Sequence, residues 1–293
     1  MNYQVFTETM RKKVEELLAK EIRVELHRVT KNNGITLFGL CIISPGIRIM
    51  PTIYMEEFYL KYQQGSQLDF LAREVIDVYE RSRKSEDFKV ECFTDFSKVK
   101  DQIVLKLINK EKNEELLKDV PYIDYLDLAI VFVLSVETKD FGSGNILIHS
   151  EHLEIWKITK ELLYEYAKEN TIQKRPLTFQ KMEELMRELG QEEEIPGALP
   201  MYVLSNDARV YGAAMMIYDR NLYQAGEILE DNYFILPSSI HEVILVPQCA
   251  VFDQNYLKWM VKEINATEIA LEEVLSDNIY YYDREHHRLK ILV

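Results

Sequence analysis

Between two apolar runs the chain reads Phe234-Ile235-Leu236-Pro237-Ser238-Ser239-Ile240-His241-Glu242-Val243-Ile244-Leu245-Val246-Pro247, which puts two hydroxyls, an imidazole and a carboxylate close together. In a hydrolase, Ser238 or Ser239 would be the nucleophile, His241 its base and a distant acid such as Asp207 the group that orients the base, with Asn206 and Glu242 lining the site. The spacing argues against this. No GxSxG surrounds either serine, and side chains so close along a chain rarely converge as a triad does. Ser239-Ile240-His241-Glu242 also fits the capping box S-x-x-E, whose hydroxyl and carboxylate satisfy backbone N–H groups at a helical turn. Capping is therefore the expected role, ahead of ligand or partner contact and of catalysis.

Other chemistry is thinly marked. His241-Glu242 continues to Leu245 and so is not the zinc motif HExxH. His149 and His152, three apart beside Glu151 and Glu154, form a candidate metal pair, but Ser150 suits a helix cap and the acids suit a first helical turn. His286 and His287 stand in an expected hairpin turn. GxxxxGK[ST] and a GxGxxG that opens a helix are both missing, and Gly142-Ser143-Gly144 precedes a strand. The expectation is no metal, no nucleotide and no other cofactor.

Composition narrows the class further. The 293 residues are 47% hydrophobic and 29% charged with 10 Gly and 8 Pro, enough for a core that needs no disulfide or metal. A net charge of −14 repels a phosphate backbone, and the basic clusters, such as Arg81/Arg83/Lys84, are short, so no direct nucleic-acid contact is expected. An acidic decoy of a nucleic-acid-binding protein is the sharper alternative to an ordinary acidic protein. The longest apolar run, Leu128 to Leu134, is far below the roughly 20 residues of a membrane-spanning helix, and no signal-peptide stretch opens the chain. Cys41, Cys92 and Cys249 are odd in number and lack CxxC spacing. They read as reduced thiols, and the expected location is the cytoplasm.

The positioning elements follow from periodicity. Phe6, Met10, Val14, Leu17, Leu18 and Ile22 predict an amphipathic first helix. Strands are expected at Ile22 to Leu26 and Gly34 to Ile43 around an Asn33-Gly34 turn, and at Ile47 to Tyr54. A Ser66-capped helix runs through Tyr79, and another is expected over Lys98 to Lys118. Leu126 to Val136 is dense in β-branched residues and predicts the central strand of a sheet, with Asn145 to His149 as partner. Helices are expected at Glu151 to Lys168, Thr178 to Leu189 and Asn221 to Glu230. Met201 to Leu204 and Tyr211 to Tyr218 read as strands, Asp253 caps a helix, and Asn278 to Val293 closes as a hairpin. The fold class is mixed α/β (α+β), as two lobes, 1–118 and 119–293, with mixed or antiparallel sheets flanked by helices.

Tyr233-Phe234-Ile235-Leu236-Pro237-Ser238-Ser239, His241-Glu242-Val243, Glu273-Val274-Leu275-Ser276-Asp277 and the tyrosine-rich end resemble an uncharacterised domain-of-unknown-function family of gut Firmicutes proteins. Asn33-Gly34-Ile35-Thr36 and Pro51-Thr52-Ile53-Tyr54 are similar to its N-terminal half. A weaker likeness, to the YtpQ-like proteins of Bacilli, rests on Asp127-Leu128-Ala129-Ile130-Val131 and on Pro237-Ser238. There Ser239 and Ile240 replace that family's Arg-Asp pair, so no charge-based role carries over. These resemblances imply membership and no reaction. The functional expectation is a non-catalytic binding or regulatory protein with a protein partner or small ligand and a possible homodimer, which calls for an exposed apolar patch above about 600 Å². The alternative is a hydrolase built on Ser238, Ser239 and His241.

Overall fold

The computed structural model describes residues 1–44, 52–83, 93–138, 142–190, 199–237 and 239–292. Ser238, Cys92, the turn at Pro45-Gly46 and most of the strand expected over Ile47 to Tyr54 lie outside them. The chain forms two compact units, one of Met1–Val99 with Ser135–Asn145, the other of Lys100–Leu134 with Ile146–Val293.

In the first unit, helix α1 (Tyr3–Leu17) starts at Asn2, whose side chain accepts from the Val5 N–H. Strands β1 (Arg23–Thr30) and β2 (Thr36–Ile43) form the expected hairpin, with Asn33 taking the left-handed turn position at φ 60°, and β3 (Ile53–Tyr54) adds to β2. Helices α2 (Glu56–Gln63) and α3 (Leu68–Arg83) follow; Ser66 lies two residues ahead of α3 and is not its first flanking residue. Phe6, Met10, Val14, Leu40, Met55, Leu71 and Val75 meet in one apolar cluster.

The Lys98 to Lys118 expectation fails where the chain passes from the first unit into the second. One helical turn (Phe96–Val99) gives way to strand β4 (Ile103–Asn109) and short 3-10 turns. Val99, Ile103 and Leu107 do fall at helical spacing, but Val104 and Leu105 lie between them and Ile108 just beyond, all buried, a two-sided apolar pattern that suits a buried strand. Strand β6 (Leu128–Thr138) lies between β4 and β5 (Ile123–Tyr125), with β7 (Gly142–Leu147) also on β6, as the density of its apolar run requires. The single helix expected from Glu151 is two, α4 (Ser150–Trp156) and α5 (Lys160–Lys174), broken where Lys157 turns left-handed and Thr159 recaps. Helix α5 covers the edge of β4: Thr171 Oγ1 accepts from the Leu105 N–H at 2.8 Å, and Asn170 Nδ2 donates to the Ile103 carbonyl at 2.9 Å. Side chains thus occupy polar groups that an edge strand would otherwise leave open.

The larger sheet has six antiparallel strands in the order β13-β12-β10-β11-β9-β8, namely β13 (Arg288–Leu292), β12 (Ile279–Asp283), β10 (Tyr233–Leu236), β11 (Val243–Pro247), β9 (Tyr202–Asn206) and β8 (Leu177–Lys181). The expected helix at Thr178 to Leu189 is thereby split into β8 and a short α6 (Met182–Glu188). Helices α7 (Asp219–Leu229) and α8 (Gln254–Thr267) stand where sequence periodicity puts them. Tyr211 to Tyr218 is no strand: Gly212–Ile217 is a 3-10 helix, buried at every position. Its Ala-Ala-Met-Met centre carries no β-branched residue to favour an extended backbone. Both faces of the sheet are covered. Phe234, Leu236, Val246 and Ile279 pack with Leu257 and Val261 of α8, while Tyr233 and Tyr282 stack at 4.9 Å on the opposite face, where the Tyr233 hydroxyl donates to the Leu222 carbonyl of α7. This explains why β10 is apolar at all four positions.

Candidate functional site

Among the described residues, the segment that joins β10 to β11 contains no helical turn for a capping box. Ser239 forms an isolated bridge with Val274, and its hydroxyl oxygen accepts from the His241 N–H at 3.0 Å. The Ser239 hydroxyl therefore closes a local turn on the His241 N–H in place of the expected capping box, in which it would accept from the Glu242 N–H and the Glu242 carboxylate would accept from the Ser239 N–H. Burial holds the Glu242 carboxyl above the usual range, with His241 pulling it down and Glu273 pushing it up. Ser238 is outside the described residues.

His241 is held on both ring nitrogens. Its Nδ1 accepts from the Tyr211 N–H at 3.3 Å and its Nε2 faces Glu273 Oε1 at 3.3 Å, while the Tyr211 ring stacks on the imidazole at 5.8 Å and 16°. A neutral imidazole has one donor and one acceptor, and here both are engaged inside the fold. The His241 carbonyl accepts from Ser205 Oγ at 2.8 Å. Each described serine at this place is therefore bonded to His241 backbone and not to its ring, and Asp207 points its N–H at the Pro176 carbonyl from an exposed loop. The sequence marks Glu273 only within a family-like stretch and misses Tyr211 and Ser205 altogether.

The loop that meets His241 is tightly tied. Asn206 accepts from the Val210 N–H and donates to the Val210 carbonyl at 2.9 Å, which also receives Arg175 Nη1 at 2.9 Å. Arg209 and Tyr211 take left-handed φ values of 51° and 56°. A Cβ on Gly212 would lie 2.1 Å from Ser205 Oγ and 2.4 Å from the His241 carbonyl, so this close approach admits only glycine. A lone glycine inside the strand expected over Tyr211 to Tyr218 was the available sequence signal of a close backbone approach.

His149 and His152 serve a helix start. His149, and not Ser150, is the residue flanking α4; its N–H donates to His152 Nδ1 at 2.9 Å, and its own Nδ1 lies 2.7 Å from Asp119 Oδ2. Burial, then the neighbouring His149, lowers the His152 pKa. Among the described residues no three His, Cys, Asp or Glu side chains gather as a metal site would require. His286 lies in the turn between β12 and β13 and pairs with Asp283 at 2.9 Å.

Asp127 marks a second polar centre that sequence reasoning missed. It accepts from Ser276 Oγ at 2.6 Å, Asn278 Nδ2 at 2.9 Å and the Tyr280 hydroxyl at 2.6 Å. Burial and this carboxylate hold the Tyr280 phenol well above its ordinary pKa. The arrangement pins the start of β12 to the turn before β6 and gives the Ser276-Asp277-Asn278 stretch a structural task.

Open surface lies elsewhere. Grooves of about 560 and 570 Å³ share Leu117, Lys118 and Tyr122, and one of about 430 Å³ runs between β8 and α7; none of the three is lined by His241. More pointed is helix α8. Leu257, Val261 and Asn265 are buried, yet Tyr256 and Trp259 project from the opposite side of the helix with exposures of 55 and 58% and stack at 6.0 Å, and Phe252, just ahead of the helix, is 105% exposed. Phe252 precedes the cap Asp253, where an apolar side chain ordinarily folds back as a staple onto Leu257. It stands fully in solvent instead.

Among the described residues no helix is long and apolar enough to cross a membrane. No curated protein and no solved structure matches the chain. Residues 3–284, which include both the His241 clamp and α8, match the family described as Family of unknown function (DUF5688), and the chain belongs to that family.

Proposed function

We propose that the chain is a non-catalytic binding protein that meets its partner through the outward side of α8. The observation that carries this reading is the placement of Tyr256 and Trp259 opposite the buried stripe of α8, where binary patterning calls for polar residues, with Phe252 fully exposed just ahead of the helix. Aromatic residues of this kind supply most of the energy at contact surfaces. The engagement of both His241 nitrogens supports the same reading, since a base must offer a lone pair to a nucleophile within about 3.2 Å. The test is an organophosphonate probe for nucleophilic serines, read by mass spectrometry. The account expects no labelling of Ser238 or Ser239 above that of a denatured control. Stoichiometric labelling that disappears in His241→Ala would establish the hydrolase alternative.

A further inference from the structure

We propose that the outward side of α8 is a two-fold interface, and that what occupies it is a second copy of this chain. The inference rests on the reading of α8 as a contact surface and names its occupant. Three observations select a second copy. First, Tyr256, Trp259 and Glu263 recur within α8 at spacings of three and four, as along the seam of a paired helix, and Phe252 adds a further exposed ring just ahead of the cap. Second, the segment is neutral in a chain of net charge −14: Lys258 and Lys262 balance Asp253 and Glu263. A basic partner would have no charge to read there, whereas an identical neutral segment can approach without adding like charges. Third, the seam is self-complementary. An antiparallel pairing about an axis between Leu257 and Lys258 sets Tyr256 against the partner's Trp259 and Phe252 against the aliphatic stem of the partner's Glu263, and opposes no two like charges.

The size of the surface sets the strength. With roughly 200 Å² per aromatic side chain, the three exposures leave about 400 Å² on each copy, less than the patch the sequence reading called for. A pair would cover about 800 Å², below the roughly 1,200 Å² of standard interfaces, so the dimer should form and dissociate with concentration.

Sedimentation equilibrium of the full chain over a wide concentration range tests this, with Trp259→Lys and Tyr256→Lys as interface variants and Ile228→Lys, an exposed apolar residue on α7, as control. Far-UV circular dichroism checks that each variant is folded. The expected result is a monomer–dimer equilibrium whose dissociation constant rises about ten-fold or more in both interface variants and stays unchanged in the control. A monomer at every concentration overturns the proposal, as does a dimer indifferent to Trp259→Lys. Binding to zwitterionic phosphatidylcholine vesicles that is lost in Trp259→Lys, with the protein monomeric, would also overturn it, because the occupant would then be a lipid surface. The organophosphonate assay reports separately on the non-catalytic reading, so failure of either idea leaves the other distinguishable.

Discussion

At the scale of single residues, groups that look reactive in sequence are spent on geometry. His241 holds Tyr211 and Glu273, Ser205 holds the His241 carbonyl, and Gly212 lets the two backbones touch. Gly212→Ala should therefore cost about 2–3 kcal/mol in urea unfolding, because the clash falls on a backbone carbonyl that cannot swing aside; an unchanged midpoint would show the loop to be loose. Glu242 gives a test in pH. Its folded-state pKa is raised, so the stability it contributes is fully present below the ordinary carboxylate value and is lost as pH rises through the elevated folded value. Glu242→Gln should then be more stable than the parent at pH 7 and should flatten that part of the pH profile. Urea titrations at acidic and neutral pH measure it, and a variant destabilised at pH 7 would mean that the ionised carboxylate is favourable to the fold.

At the scale of elements, sequence legibility follows burial. Helices with one apolar stripe, α1, α7 and α8, and the hairpins at Asn33-Gly34 and at the C-terminus stand where periodicity and turn chemistry put them. Segments buried on several sides were misread. β4 reads as a helix and Gly212–Ile217 as a strand because neither keeps a polar face to reveal its period. Of the candidate site, the sequence suggests that Ser239 serves the backbone, but the capping box it predicts is replaced by a turn onto the His241 N–H, and Tyr211, Ser205, Glu273 and Asp127 were not legible, since nothing local shows which distant backbone will approach. The break between α4 and α5 was also hidden, because Lys157 gives no sign of its left-handed φ of 55°. A bulky side chain there carries strain, and Lys157→Gly should stabilise the chain by about 0.5–1 kcal/mol in chemical denaturation. Destabilisation would mean that the Lys157 side chain contributes more than its backbone costs.

For the whole molecule, acid is widespread and the α8 segment is a neutral exception within it. Two copies that meet there still repel through the remainder of their charge, so added salt, which shortens the Debye length from about 10 Å at 0.1 M to about 3 Å at 1 M, should tighten the dimer. Dissociation promoted by salt would point instead to an interface held by ion pairs. The two tryptophans provide the most direct test of all. Trp156 is buried, with 7% exposure, and Trp259 is 58% exposed on the proposed contact surface. Acrylamide quenching along a dilution series therefore reads the occupancy of α8 itself. The account expects quenching to strengthen and emission to shift to the red as the protein is diluted, with neither change in Trp259→Phe, where only Trp156 reports; quenching of Trp259 that is the same at every concentration would contradict it.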